Sequence, residues 1–292
     1  MIYGCSYEEV REKEIERKAG VEKTAGFFLM LFIVAGTFAV VYGILYVANL
    51  IHPVLRFCLE TFFIYQILAT KSLKTESMKV YKKLKEGDLI GARKEVSYLV
   101  GRDTENLDES EVAKADVETI AENTADGVIA PMIFIAIGGA PLGFAYKAVN
   151  TLDSMVAYKN EELINIGFFS AKMDDICNFI PARFAAVMLM IASLILRFDF
   201  KGAVKIFKRD RFAHLSPNSA QTEAVAAGAL QIQLGGTHNY FGKAVVKPTI
   251  GDDIRPVEYE DIKRTNQLLY VSAVLSMAVC CLITFLIYVQ LF

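Results

Sequence analysis

Several groups of polar residues lie beside or inside apolar sequence, where an uncompensated polar side chain is costly and so marks a candidate functional position. Glu118, Glu122 and Asp126 are spaced i, i+4 and i+8, which places three carboxylates on one helix face where the apolar run after Gly127 begins. Such a row of hard oxygen ligands suits a divalent cation, although a solvated helix face is the plainer account of Glu118. Asn123 lies within the same run as a candidate substrate contact. Lys147, Asn150, Thr151 and Ser154 fall at i, i+3, i+4 and i+7, with Asp153 three residues after Asn150. A lysine sharing a stripe with amides and hydroxyls can hold phosphate oxygens, and Lys159 adds a second cation; helix capping and surface charge would produce the same pattern.

Asp174 and Asp175 open an apolar helix, followed by Asn178, Pro181 and Arg183. An acid pair there is favourable for the helix dipole alone. It could also hold Mg²⁺, which typically takes one or two carboxylates and leaves other positions to water and substrate phosphates. Ser216-Pro217-Asn218-Ser219 precedes a small-residue helix containing Glu223. It reads first as an N-cap and second as a phosphate contact. Gly101-Arg102-Asp103-Thr104 is either an anion contact or a turn with an ion pair. The glycine-rich run from Leu234 to Lys243, with His238, Tyr240 and Phe241, matches neither a Walker loop nor a dinucleotide fingerprint. The five cysteines show no metal spacing and read as small core or lipid-facing residues.

Apolar helices must position these groups. Residues 25–51 carry no charge and are long enough to cross ~30 Å of hydrocarbon at ~1.5 Å per residue. His52-Pro53 breaks the run, and 54–70 continues it as a second span, with Arg56 and Glu60 able to pair at i, i+4. Residues 71–125 turn strongly charged. The apolar stretch 127–146 contains Pro131, Gly138, Gly139, Pro141 and Gly143, a density that predicts a broken or re-entrant helix. Another apolar stretch covers 176–197, and 268–292 is uncharged.

The expected fold is all-α: a multispanning integral membrane protein with cytoplasmic helical segments and re-entrant or broken helices. It reads as one domain over 1–292. The parts are a membrane hairpin at 25–70, a cytoplasmic helical segment at 71–125, a membrane-associated motif region at 126–197, a cytoplasmic segment at 198–266 and a C-terminal span at 268–292. Basic residues crowd 1–24, 71–125 and 198–266, which the positive-inside bias places in the cytoplasm. Stretches 127–146 and 176–197 then either both cross or both do not, and the second arrangement keeps 147–175 accessible from the cytoplasm.

Of the 292 residues, 54% are apolar and 22% charged, and mean hydropathy is +0.36, against disorder, a fibre or an ordinary soluble domain. Thirty-one basic against 33 acidic residues gives no basic excess, so no nucleic-acid partner is expected. The first 24 residues are charged and the run behind them is too long for the apolar core of a cleavable signal.

The succession GRDT (101–104), AENTADGVIAP (121–131), YKAVNTLDSMVAYKN (146–160), SAKMDDICNFIPAR (170–183), SPNS…E…AGAL (216–230) and LGGTHNYFG (234–242) resembles the cobalamin-biosynthesis family called CbiB or CobD, adenosylcobinamide-phosphate synthase. The resemblance covers about residues 50–245, with the motifs in the family's order. It implies a multi-pass cell-membrane enzyme with its active site facing the cytoplasm. That enzyme is an ATP-dependent acid–amine ligase joining adenosylcobyric acid to (R)-1-aminopropan-2-ol phosphate, or a related amino alcohol, with Mg²⁺ as cofactor and ATP as co-substrate.

Placed on these positions, the resemblance implies Asp126, Asp174 and Asp175 as Mg²⁺ ligands and Asp174, Asp175, Lys147 and Asp153 as catalytic groups. It implies Arg102, Asn123, Asn150, Lys159, Arg183, Asn218 and Tyr240 as substrate or phosphate contacts. Besides the bilayer, a homo-oligomer or corrin-pathway proteins are the partners it leaves open. Family members commonly begin with an apolar helix and a G-D-P…H-P-V motif, which the sequence from Met1 lacks. Either such a segment lies upstream or this member dispenses with it. The other readings are a membrane alcohol phosphotransferase, whose Asp-Gly motif would need a following Ala-Arg absent after Asp126-Gly127, and a non-catalytic scaffold of a corrin-assembly complex.

Overall fold

A computed structural model of the chain describes residues 7–156, 163–240 and 242–291. The first helix, α1 (Tyr7–Ile51), ends where Pro53 removes a backbone donor. Pro53 then starts α2 (Pro53–Ile67), a position that suits proline, and His52 Nδ1 accepts from the Val54 N–H at 3.1 Å. Val41 and Leu45 share an apolar cluster with Leu59 and Phe63, as a hairpin about His52 requires. The second arm is shorter than the span expected over 54–70: its 15 residues reach ~22 Å at ~1.5 Å each. Among the described residues, four helical stretches are long and apolar enough to cross a membrane: Lys18–Ile51, Glu109–Val156, Phe168–Ile195 and Glu260–Leu286. The protein is an all-α, multispanning membrane protein, apart from one small β-hairpin.

The chain gathers into two compact units interleaved along the sequence. The first comprises Met1–Ile67 and Gly138–Cys177. Here α6 (Ala130–Val156) breaks as its glycines predict: Gly138 has φ −141°, ψ 22°, and Gly139 has φ 67°, ψ −165°. The Gly139 backbone is essentially closed to residues with a side chain. Glu60 Oε1 accepts from the Ala140 N–H at 3.4 Å just beyond the break and fills the space a Gly139 side chain would need. Arg56 lies 3.7 Å from Glu60, the i, i+4 pair the sequence indicates.

The second unit comprises Leu68–Ile137 and Asn178–Phe292. It contains α3 (Thr70–Lys85), α4 (Leu89–Ser97), α5 (Glu109–Asn123), a π-helical turn (Thr124–Ile129), most of α7 (Phe168–Ile195), α8 (Phe200–Asp210), α9 (Ser219–Leu230) and α10 (Glu260–Leu291). Local sequence sets several starts. Asp88 caps α4, Asp199 caps α8, and Asp108 with Glu111 forms a reciprocal capping box on α5. Val80, Val96, Ile120, Leu189, Ile262 and Leu268 lie in its buried apolar core. Gly202 and Gly228 let α8 and α9 meet backbone to backbone, since a methyl on either would strike the other's carbonyl. Strands β1 (Leu234–Tyr240) and β2 (Lys243–Ile250) form an antiparallel hairpin whose register slips between Leu234 and Gly236.

Candidate functional site

Four of the sequence motifs meet around one polar cavity in the second unit. Its volume is about 150 Å³, and Arg102, Glu118, Glu122, His214, Glu223, His238 and Lys247 supply its charged and titratable lining. That is below the ~300–1,000 Å³ of pockets that enclose whole drug-sized ligands, so it suits a phosphate- or carboxylate-sized group.

The hairpin brings the GRDT loop to α5. Asp103 N–H donates to Asn239 O at 2.8 Å, and Gly242 N–H donates to Asp103 Oδ2 at 2.8 Å. Next to Asp103, Arg102 is buried, its side chain 6% exposed. Its Nη2 donates to Glu118 Oε2 at 2.6 Å, and Nη1 lies 2.6 Å and 2.9 Å from the two ring nitrogens of His238. Glu118 Oε1 accepts from the Gly235 N–H at 2.7 Å, where the strand register slips. The slip thus directs a backbone donor at the carboxylate that holds Arg102. Burial and the adjacent Arg102 push the His238 imidazole down to about 4, so it is neutral at pH 7.

Opposite in chemical type, α9 contributes Glu223, its side chain 4% exposed and its Oε1 3.6 Å from His214 Nδ1. The Ser219 hydroxyl lies 3.2 Å from the same nitrogen. His214 Nε2 is buried with no hydrogen-bond partner among the described residues. Burial, reinforced by Glu122 and Glu118, pushes Glu223 well above the usual carboxylate range. Burial and Lys247 push His214 down. Both shifts favour the uncharged forms.

Of the residues singled out in the sequence, Arg102 and Asn123 line this cavity. Glu118 and Glu122 do too, but Asp126 is not among the lining residues. The π-helical turn that begins at Thr124 corrects the expectation of one carboxylate row, because its wider winding breaks the i, i+4 register beyond Glu122. Arg183 and Asn218 meet elsewhere in the unit. Arg183 Nη1 donates to Asn218 Oδ1 at 3.0 Å and to Phe179 O at 2.7 Å, and the guanidinium lies 3.7 Å from the Phe179 ring centroid. Asn218 precedes α9 but makes no side-chain cap, contrary to its first reading.

Of the remaining candidates, Lys147, Asn150, Asp153, Asp174 and Asp175 belong to the first unit. Lys147 Nζ donates to Asn150 Oδ1 at 3.3 Å on α6, so that stripe exists. Asp153 is half-buried, as are Asp174 and Asp175; because α7 starts at Phe168, the acid pair lies beyond its first turn and does not open the helix as the sequence suggests. Lys159 and Phe241 lie outside the described residues, and Tyr240 ends β1 with its side chain outside them. No group of three or more His, Cys, Asp or Glu is gathered to hold a metal ion among the described residues. Mg²⁺ does not demand three protein ligands, and the adjacent carboxylates of Asp174 and Asp175 fit an ion that takes its other ligands from water and phosphate.

Sequence reasoning gave no role to His214, His238, Glu223 or Lys247. Their positions in the chain show no mutual spacing that marks a site. The nearest signal was His238 lying in the LGGTHNYFG run, with His214 two residues before Ser216.

The family described as CobD/Cbib protein matches residues 5–269. Similar proteins include "Cobalamin biosynthesis protein CobD" of Clostridium perfringens, 55% identical over 261 residues, 89% of this chain and 83% of that protein. The protein of the same name from Streptococcus sanguinis is 53% identical over 247 residues, 85% and 78% of the two chains. "Cobalamin biosynthesis protein CbiB" of Salmonella choleraesuis is 46% identical over 256 residues, 88% and 80%. No solved structure matches the chain.

Proposed function

The chain belongs to the CobD/Cbib family and has a role in cobalamin biosynthesis, and on that premise we propose that it is the ATP-dependent synthase that joins adenosylcobyric acid to (R)-1-aminopropan-2-ol phosphate, or a related amino alcohol, through an amide. The observation that carries this reading is the convergence of motifs from α5, α9, the GRDT loop and the hairpin on one cavity of phosphate size, with guanidinium, ammonium, imidazole and carboxyl groups.

A carboxylate oxygen is a poor leaving group. Transfer of the ATP γ-phosphoryl group to the corrin carboxylate gives an acyl phosphate and ADP. The free amine attacks its carbonyl carbon, the C–O bond to phosphate breaks, inorganic phosphate leaves and the amide remains. Arg102, held rigid by Glu118, and Lys247 are suited to the charge that gathers on phosphate oxygens. Neutral His238 can accept from Arg102 Nη1 through a ring nitrogen and so helps to fix the guanidinium. His214, biased to its neutral form and backed by Glu223, is suited to take the proton that the amine nitrogen sheds. In this reading Asp174 and Asp175 are the residues that would hold Mg²⁺, which when bound would neutralise phosphate charge. Lys147, Lys159 and Arg183 bind further phosphate oxygens, Asn150 and Asp153 orient substrate, and Tyr240 contacts the corrin. In this reading the cavity faces the cytoplasm from the cell membrane, since ATP is available there.

The test supplies membranes containing the full chain with Mg²⁺, ATP, corrin acid and amino alcohol phosphate, and looks for the amide by mass spectrometry. ATP consumption should require both other substrates. Turnover with a nucleotide-linked alcohol donor and no corrin would favour the phosphotransferase reading. No amide from a well-inserted sample would sink the synthase reading and leave the scaffold.

A further inference from the structure

A second cavity in the same unit lies where two membrane-length helices end. Helix α7 stops at Ile195 and α10 starts at Glu260; Arg197, Phe198, Asp199, Gln231, Arg255 and Arg264 line an open hollow of about 410 Å³ there. Its backbone is unusual. Arg197 (φ 60°) and Gln231 (φ 58°) are the two non-glycine residues with left-handed backbone among the described residues, and both line this hollow. Phe198 N–H donates to Ser193 O at 2.9 Å and Arg197 N–H to Leu194 O at 3.2 Å. Those two bonds close α7 in the manner of a Schellman cap, in which glycine is the ordinary occupant of the position Arg197 holds. An arginine where glycine would fit without strain is a candidate for a role outside the backbone.

The acceptors around it are already supplied. Arg255 grips the buried Asp261 with bonds of 2.6 and 2.8 Å, and Arg264 reaches the same carboxylate at 2.7 Å. Glu258, on the exposed rim, is 3.7 Å from Arg264. The Asp199 carboxylate accepts from Gln231 Nε2 at 2.9 Å and Gly202 N–H at 2.8 Å. At the end of α9, Leu230 O accepts from Arg255 at 2.8 and 3.1 Å, and Ala229 O from the Asp199 N–H at 3.1 Å. The Arg197 guanidinium, by contrast, has neither a carboxylate nor a hydrogen-bond partner among the described residues.

We propose that this hollow binds a phosphate-bearing anion through Arg197, with Arg264 and Arg255 beside it. The depth favours the phosphodiester headgroup of an anionic phospholipid, because basic pockets at the ends of membrane helices lie at headgroup level. Guanidinium groups suit phosphate oxygens, and the hollow is roomy enough for a headgroup.

The test uses the full chain purified in uncharged detergent, titrated separately with phosphatidylglycerol, phosphatidylcholine and inorganic phosphate, with binding read by native mass spectrometry and by thermal shift. The wild-type chain should bind phosphatidylglycerol at least tenfold more tightly than phosphatidylcholine. Arg197→Gly and Arg197→Asn should each weaken that binding about tenfold, while the lipid-free melting temperature stays the same or rises, because both residues tolerate left-handed backbone. Binding of inorganic phosphate that both variants lose would support the site with a soluble phosphate as its source. Retention of both ligands within twofold in the two variants would overturn the proposal, as would equal binding of the two lipids with no phosphate binding. None of these readouts involves amide synthesis, so they stand apart from the reaction proposed above.

Discussion

The two units hold their charged residues in different ways. In the first, the ion pair Arg56–Glu60 and the Lys147–Asn150 bond join neighbours along one helix, and the long-range contacts of Glu60 with the Ala140 N–H and of Glu22 with Asn165 are single hydrogen bonds. In the second, the charged group at the cavity joins a loop, a helix and a hairpin: Arg102 from the GRDT loop, Glu118 from α5, and His238 and Gly235 from β1. Helical neighbours that stay half in solvent are worth little, ~0.3–0.5 kcal/mol per pair. Removing one partner from a buried pair costs about 3–5 kcal/mol, because the other charge is left uncompensated. The second unit therefore has far more to lose from one substitution, and its geometry is preorganised where that of the first depends on what binds.

The largest effect should follow Arg102→Ala. It strands Glu118 beside the Gly235 N–H and takes the strongest phosphate donor from the cavity. Amide formation in inserted protein should fall at least ~1,000-fold, with the melting temperature also lowered. Arg102→Lys should recover stability but little activity, since an ammonium group cannot hold Glu118 and His238 with the same fork. Activity within tenfold of wild type in Arg102→Ala would remove this cavity from the reaction.

Next comes the acid pair of the first unit. Asp174→Ala and Asp175→Ala should each cut turnover ~10–100-fold with insertion and melting temperature nearly unchanged, and should raise the Mg²⁺ concentration needed for half-maximal rate. Near-normal turnover with unchanged Mg²⁺ dependence would remove the pair from the metal site. The contrast with Arg102 then sharpens: one unit loses activity and stability together, the other loses activity alone.

These differences explain what could be read from sequence. The breaks at His52-Pro53 and Gly138-Gly139 were legible because Pro and Gly act locally, and the Arg56–Glu60 and Lys147–Asn150 pairs because one helix periodicity sets them. Arg102 was found through a short motif. The role of Glu118 as its anchor was hidden, since it depends on a hairpin that pairs 234–240 with 243–250. The π-helical turn that contains Asp126 was not legible, because such a turn is a tertiary accommodation with no spacing signature. The meeting of Glu223 and His214 on opposite sides of a turn, and of both with α5, is long-range packing that periodicity does not encode.

Protonation separates the units a third way. His238 titrates at about 4 in the folded protein, against an ordinary value of ~6.5. Above the ordinary value the ring is neutral in both states, so it adds no pH dependence. As pH falls below that value the unfolded chain takes a proton and the folded one does not, so stability drops until the folded ring also titrates. The loss is on the order of 2–3 kcal/mol across that window. Glu223, pushed up, acts in the opposite sense: its protonated form favours the fold as pH falls toward the ordinary carboxylate value. The difference between wild type and His238→Gln isolates the histidine. The variant should lose less stability between pH 6.5 and pH 4, measured by denaturant unfolding in detergent. Parallel curves for the two proteins would contradict the burial of a neutral ring beside Arg102.

The smallest expected effect tests whether the second unit's cooperation extends beyond the cavity. Asn218 stands where an N-cap belongs, yet its side-chain oxygen accepts from Arg183 and makes no cap bond to α9. A lost cap typically costs ~1 kcal/mol, and so does one lost hydrogen bond to a charged donor, so the size of a single mutant's loss cannot tell them apart. A double-mutant cycle can. If the contact with Arg183 is what matters, Asn218→Ala should cost about 1 kcal/mol in the wild-type background and close to nothing when Arg183 is already leucine. Arg183→Leu alone should cost more, because it also gives up the bond to Phe179 O and the stacking on its ring. The coupling between the two positions should then be ~1 kcal/mol. Additive losses would mean that Asn218 serves α9 by itself, and the polar cluster at the foot of that helix would reduce to the same short-range, one-helix logic that governs the first unit.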